Sequence, residues 1–404
     1  MNKNFWLLWS GFTVSTFGTY LSLIVLNLFI YEATKSPMLV GVFLLLRLVP
    51  AFFMGNVAGF LADRFQRKYL MIAADLCRSA LIFSVIFLRE DIFPLYFIIF
   101  GIAICDRVYQ AAMGGSIPNV AGQENILSAN AYLASGRTIA LVTGPLVGGL
   151  LLSVKAFSVA FTVDAASYLF SAIMVSLMTA KFHETAPNRS QTSGVWNGLK
   201  EGYGFIFARA GLLSIILLRC LDAFGSSAIN VGTPIFAESL RQFTPGICYG
   251  LIFASFGAGE LVGSLYLARH KYMTGRPPEL VLGYSILFMA IFFGLAFSAG
   301  NLWGAMAFMF LSAIAEGLTA VTYNIFLQKS PDNIRGRVVG TSETGVWTSM
   351  GIGMFLSGVI AEVVSISHVV QLFSAIIVIG CVWHLVKLRR SVRYVAQDFS
   401  PANS

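Results

Sequence analysis

The chain has 404 residues, of which 57% are hydrophobic, 14% aromatic and only 11% charged. A water-soluble domain of that size carries about 25% charged residues, so this chain has too few to cover a surface in water. Its net charge of +8 does not indicate nucleic acid, because the basic residues fall in short loops between apolar runs.

A helix needs about 20 apolar residues to cross the ~30 Å hydrocarbon core of a bilayer. Twelve such runs are read in chain order: 5–31, 38–62, 69–88, 92–114, 129–154, 156–180, 211–238, 246–268, 279–299, 301–325, 338–361 and 366–388. A β-barrel would instead show alternating strands of about ten residues. The expected fold is an all-α polytopic membrane protein. The first run, beginning almost at Met1, has no small-residue cleavage site after a short apolar core, and reads as the first helix rather than a signal peptide.

With the N-terminus inside, the cytoplasmic loops receive Lys3, Arg64, Arg67, Lys68, Lys181, Arg189, Lys200, Arg209, Arg269, Lys271, Arg276, Lys329, Arg335, Arg337, Lys387, Arg389, Arg390 and Arg393. The opposite side receives only Lys35, Arg89, Lys155 and Arg241. This asymmetry is the positive-inside bias, which places both termini in the cytoplasm of a bacterial inner-membrane protein. The implied partners are the lipid bilayer and a small-molecule substrate, with no nucleic acid, and the chain is expected to act as a monomer.

The long gap 181–210 separates six runs from six. The expected division is a bundle over 1–180, a linker over 181–210, a second bundle over 211–390 and a tail over 391–404. In the linker, Val195, Trp196, Leu199, Tyr203 and Ile206 share one helical face, which predicts an amphipathic helix on the cytoplasmic interface or a mere connection. The halves look like weak repeats. Pro118-Asn119 in the loop before run five answers Pro331-Asp332-Asn333 before run eleven, and Gly144 and Gly149 answer Gly353 and Gly358. Two bundles related along the membrane normal would enclose a cavity near the midplane and expose it to each side in turn.

The segment after run two reads Gly59-Phe60-Leu61-Ala62-Asp63-Arg64-Phe65-Gln66-Arg67-Lys68. Small residues at 55, 58, 59 and 62 allow close helix packing. Asp63 can face a helix N-terminus or a neighbouring arginine, and the basic residues fix the loop in the cytoplasm. Run five carries Gly144-Pro145-Leu146-Val147-Gly148-Gly149, with Gly136 upstream and Ala140 between them. Pro145 frees a backbone carbonyl and favours a kink.

These segments, with Asp75 in Ala74-Asp75-Leu76-Cys77-Arg78, Asn130-Ala131 ahead of run five and the stretch Gln328 to Arg337, resemble the major facilitator superfamily, in its branch of macrolide and siderophore exporters. The resemblance implies two six-helix bundles. It makes Gly59, Asp63, Arg64, Arg67 and Lys68 a gating latch, against the plainer reading of a topology anchor. The family usually has Gly at the position of Gln66, so the tight turn is expected to differ. It makes Gly144, Pro145, Gly148 and Gly149 an antiporter-like seal, against a plain packing kink.

An ionisable group near the bilayer centre costs at least ~2.5–3.5 kcal/mol, so it needs a partner or a purpose. Asp75 and Arg78 share a helical face, as do Arg219 and Asp222, and the first pair reads as structural. Glu343 is in reach of Arg337 or the latch, and Arg137 of Asp75 or Asp63. Asp106, Arg107, Glu260 and Glu316 sit mid-run, and Glu260 and Glu316 have no basic residue within reach on their own helix. A desolvated carboxyl without a permanent cation binds a proton near neutral pH. Glu316, Glu260, Asp222 and Asp106 are therefore the proton-coupling candidates, against the alternative that each pairs across helices with Arg107, Arg219 or Arg47. Arg47, Arg107, Arg219, Asn27, Tyr20, Tyr323 and Asn324 are the candidates for lining the substrate cavity. Asp164, on a peripheral helix, ranks lower.

No phosphate-cradling glycine loop, catalytic set or metal-ligand spacing is present, and the cysteines are scattered. The expectation is a secondary transporter without cofactor, drawing on the proton gradient: an antiporter exporting a hydrophobic drug or a siderophore-like metabolite. A lipid or metabolite facilitator without proton antiport is the alternative. A membrane sensor or assembly partner is a third reading, but it would call for an output domain.

Overall fold

The computed structural model describes residues 1–87, 92–179, 203–269, 278–328, 330 and 335–391. Among the described residues, thirteen α-helices carry the apolar runs. They are α1 (Lys3–Thr34), α2 (Pro37–Arg64), α3 (Arg67–Ser84), α4 (Phe93–Ala121), α5 (Ile126–Ser153) and α6 (Phe157–Ser176). After the linker come α7 (Ala210–Ser226), α8 (Ala228–Ser239), α9 (Pro245–Arg269), α10 (Pro278–Ala296), α11 (Leu302–Gln328), α12 (Arg335–Ala361) and α13 (Ile366–Ser391). Among the described residues, eleven helices are long and apolar enough to cross a membrane, and Pro37–Ala51 of α2 is a shorter apolar helix. One of the eleven, Gly211–Ser239, joins α7 and α8 across a single-residue interruption at Ser227. The Ser227 hydroxyl donates to the Phe224 carbonyl at 2.6 Å, so the interruption leaves no serine proton unmatched in the apolar interior.

Local chemistry sets the ends. Asn2 caps α1 by accepting from the Phe5 N–H at 3.0 Å. Ser36 caps α2 by accepting from the Leu39 N–H at 3.3 Å, with Pro37 in the first turn, where its missing N–H costs nothing. Among the described residues, three non-glycine residues adopt left-handed backbone: Lys35 (φ 53°), Lys155 (φ 54°) and Arg241 (φ 50°). All three belong to the short loops on the side expected to face away from the cytoplasm.

Two of the expected loop features lie inside helices. Pro118-Asn119 falls within the last turn of α4, which continues to Ala121, and Asn130-Ala131 is in the second turn of α5. Hydropathy falls where a helix leaves the bilayer, but its backbone bonds continue into water, so the apolar run underestimates the helix. The linker residues Val195, Trp196 and Leu199 lie outside the described residues, as do Arg89, Lys181, Arg189, Lys200, Lys271, Arg276, Lys329, Pro331, Asp332, Asn333 and the tail 392–404. Ile206, the last member of the expected amphipathic face, is buried beside Leu212, Ile215 and Tyr323.

The chain divides into two compact units: Met1–Arg189 with Ala237–Ala254, and Ser190–Phe236 with Ser255–Ser404. In the first, α1 packs against α5 and α6, α3 against α4 and α6, and α2 against α4. In the second, α10 packs against α11 and α13, and α7 against α12 and α13.

The α1–α5 contact depends on small residues spaced four apart. A Cβ on Gly144 would stand 2.8 Å from the Tyr20 Cβ and 3.0 Å from the Phe17 carbonyl oxygen, and one on Gly148 would stand 2.9 Å from the Leu21 carbonyl oxygen. Ala140 is fully buried in the same row, and Gly136 faces Thr13. Gly149, off the row, faces Gly246 and Gly250, with Gly250 placed so that a Cβ would reach 2.6 Å from the Pro145 carbonyl oxygen. In the other unit, α9 and α11 approach equally closely. A Cβ on Gly259 would lie 2.8 Å from Ala313 Cβ, and one on Gly317 would lie 2.8 Å from the Ser264 nitrogen.

Candidate functional site

Each unit contains one arginine that holds two carboxylates. In the first, Arg78 of α3 is bonded to Asp75, one helical turn away, and its Nη1 donates to Asp106 Oδ1 of α4 at 2.9 Å. Asp75 is fully buried and Arg78 is 3% exposed, whereas Asp106 is 35% exposed. Tyr109 and Tyr168 close over the guanidinium, their ring centroids 4.4 and 4.5 Å from its carbon. Such faces stabilise a desolvated cation by about 2 kcal/mol each. The sequence signal for Tyr109 was its place one turn after Asp106. Tyr168, on α6, offered none.

In the second unit, Arg219 of α7 is bonded to Asp222 and reaches Glu316 of α11 through two hydrogen bonds, at 2.8 Å to Oε1 and 3.2 Å to Oε2. Asp222 is fully buried, and Arg219 and Glu316 are 16% and 17% exposed. For Glu316 the cross-helix alternative is the one present: it has no cation on its own helix, and Arg219 reaches it from another helix, beyond what same-helix spacing can reveal. Glu260 is half-buried on α9, beside the α9–α11 backbone contact, where its carbonyl faces Gly317.

The expected cavity-lining groups divide. Asn27 is 1% exposed and donates to the Tyr249 hydroxyl at 2.9 Å, and the Tyr20 Cβ abuts Gly144. Tyr323 is buried and hydrogen-bonded to Ser342. Asn27 and Tyr323 are thus buried and hydrogen-bonded within their own units, whereas Tyr20 is only partly buried. Asn324 is exposed, its amide donating to the Ala320 carbonyl at 3.0 Å. Arg47 is partly buried and acts electrostatically on Asp164. Arg107 is partly buried with a buried Nε that has no hydrogen-bond partner. Glu343 accepts from Trp347 Nε1 at 3.1 Å. The Arg337 side chain, one of its two expected partners, lies outside the described residues.

At the α2–α3 junction, Arg67 donates through Nε to the Ala62 carbonyl at 3.3 Å and through Nη1 to the Gly115 carbonyl of α4. Lys68 Nζ donates to the Met178 carbonyl at 2.7 Å, and Arg64 lies over the Phe60 ring at 5.9 Å. The Asp63 side chain lies outside the described residues. Gly59 is no packing requirement, since nothing lies within 4 Å of where its Cβ would be. Gln66 adopts φ −63° and ψ 116°, which any residue tolerates, so this turn has no need of the expected glycine.

Residues 1–403 match the family model described as transmembrane secretion effector. The chain belongs to that family, within the major facilitator superfamily. Macrolide efflux protein A of Streptococcus pyogenes is 24% identical over 90% of this chain and 91% of that protein. Enterobactin exporter EntS of Shigella boydii is 24% identical over 87% and 86%, and the MFS-type transporter YfiS of Bacillus subtilis is 24% identical over 93% and 89%. Among solved structures, the nucleoside transporter NupG superposes with a TM-score of 0.75 at 14% identity, over 96% of this chain and all of that one. A bacterial homologue of the lysosomal transporter Spinster gives 0.75 at 15% identity over 98% of each chain. These structures share its fold. As a transmembrane secretion effector of the major facilitator superfamily, the protein is a multi-pass membrane transporter and not an enzyme.

Proposed function

We propose that the protein is a proton-coupled exporter of a hydrophobic drug or siderophore-like metabolite. It acts as a monomer in the bacterial cytoplasmic membrane with both termini inside. The relatives named for macrolide efflux and enterobactin export support the direction and the substrate class. The observation that carries coupling is the Arg219 cluster, in which one guanidinium faces two carboxylates, Asp222 and Glu316, leaving one negative charge in excess. An uncompensated charge in a low-dielectric interior is costly, and a proton is the counter-charge always at hand. Protonation of Glu316 weakens its hold on Arg219 and frees both groups for polar atoms of the substrate. Loss of that proton to the cytoplasm restores the pair. Glu260, at the adjoining helix contact, and Arg47, Arg107 and Asn324 are secondary candidates in the same reading. Gly144, Pro145, Gly148 and Gly149 serve it as a seal.

The two hydrogen bonds that already tie Glu316 to a permanent cation favour one rival, facilitated passage of lipid or metabolite with the cluster as a fixed brace. Inverted membrane vesicles separate the two readings. Proton antiport requires that a macrolide collapse an imposed pH gradient, and that Glu316→Gln abolish this while expression and folding persist. Substrate uptake indifferent to an uncoupler would establish the facilitator, whereas unchanged coupling in Glu316→Gln would remove Glu316 from the mechanism.

A further inference from the structure

The pair Asp75–Arg78 by itself is neutral, and read from sequence it looks like a brace. The structure adds Asp106 to the same guanidinium, and the cluster then carries one negative charge in excess, as the Arg219 cluster does. The likeness goes further. In each cluster the fully buried aspartate uses one oxygen for its arginine, and the other, Asp75 Oδ2 or Asp222 Oδ1, is buried with no partner at hydrogen-bond distance among the described residues, although the Ser171 hydroxyl stands near Asp75. An orphaned carboxylate oxygen in an apolar interior is costly, and a bound proton removes the charge that makes it so. In each cluster the second acid is the more accessible one and occupies nearly the same station on the fourth span of its half. Asp106 lies 13 residues beyond the start of α4 at Phe93, and Glu316 lies 14 beyond the start of α11 at Leu302. The arginine does not repeat in this way. It comes from α3 in one unit and α7 in the other.

We propose that Asp75, Arg78 and Asp106 form a second proton-binding site, so that the protein holds two exchangeable protons, one in each unit. This rests on the proton-coupled reading of the Arg219 cluster and extends it to the other half. The groups facing Asp75 are Arg78 and, from α4, Asp106 and Tyr109; α6 contributes Tyr168, the Ser171 hydroxyl and, further off, Asp164. Asp164 is itself opposed by Arg47 of α2. Arg107 is about 100° round α4 from Asp106 and is not among the groups acting on Asp75 or Arg78. Among the described residues, no cation besides Arg78 is among the leading groups acting on Asp75.

The proton itself is the probe. Infrared difference spectra of the purified full-length protein, recorded across neutral pH, count buried protonated carboxyl groups by their C=O stretch, without any substrate. Two such groups are expected in the wild type. Asp75→Asn removes one. Asp106→Asn, at a partly exposed position that tolerates the change, removes the same one, because the remaining Asp75–Arg78 pair is neutral and needs no proton. Asp222→Asn removes the other. A spectrum in which Asp75→Asn and Asp106→Asn both leave the two wild-type bands in place overturns the second site. Failure of Asp222→Asn to remove a band counts instead against the Arg219 cluster, and so against the coupled reading itself.

Discussion

At the scale of single residues, charge is tolerated inside this protein because the guanidinium at the centre of each cluster faces two carboxylates. Arg78 has two carboxylates and two aromatic faces, and Arg219 has two carboxylates. A different economy holds at the surface, where Lys35 and Glu238 pair at 2.9 Å while 58% and 43% exposed. Solvent screening limits such a pair to less than about 1 kcal/mol. Lys155 shows how the same loops carry strain, since its left-handed φ of 54° crowds a Cβ that glycine lacks. Replacing Lys155 by Gly is expected to stabilise the protein by about 1 kcal/mol, read as a higher melting temperature in detergent. An unchanged or lowered value would mean that the lysine side chain contributes more than its backbone costs.

At the scale of elements, glycine position separates packing from coincidence. The row Gly136, Ala140, Gly144 and Gly148 on α5 repeats every fourth residue, which keeps it on one helical face against α1. Ala140, fully buried, keeps the row small. Lipid supplies no hydrophobic drive between helices, so close van der Waals contact along such a row is what holds them. Gly144→Val or Gly148→Val is expected to cost about 1–3 kcal/mol by overpacking, whereas Gly59→Ala, facing open space, stays within about 0.5 kcal/mol. Thermal unfolding of the three variants in one detergent tests this. Equal losses at positions 59 and 144 would contradict the assigned contact. The turn at Gln66 shows the converse, since a motif position that usually holds glycine has ordinary backbone here and accepts a side chain.

At the scale of the whole molecule, the expected orientation has a direct test. Cysteine placed at Lys35 or Lys155 is expected to react with a membrane-impermeant maleimide added to intact cells, and cysteine placed at Arg64 only after the membrane is opened. Native Cys77, which is exposed on α3, is replaced first in every variant. Labelling of the Arg64 position in intact cells would reverse the topology. The sequence by itself determined the helical class, the order of the apolar runs, and the charge asymmetry of their loops. It could do so because bilayer thickness and backbone hydrogen bonding act on each run independently of its neighbours. It also located the acids worth attention and paired Asp75 with Arg78 and Arg219 with Asp222, since spacing along one helix fixes a shared face. Only the tertiary structure decided that Asp106 joins Arg78, that Glu316 is held by Arg219, and that Asn27 and Tyr323 are closed off in packing. Those contacts span between 19 and 222 residues of chain, and no periodicity within a helix records which face of another helix it will meet.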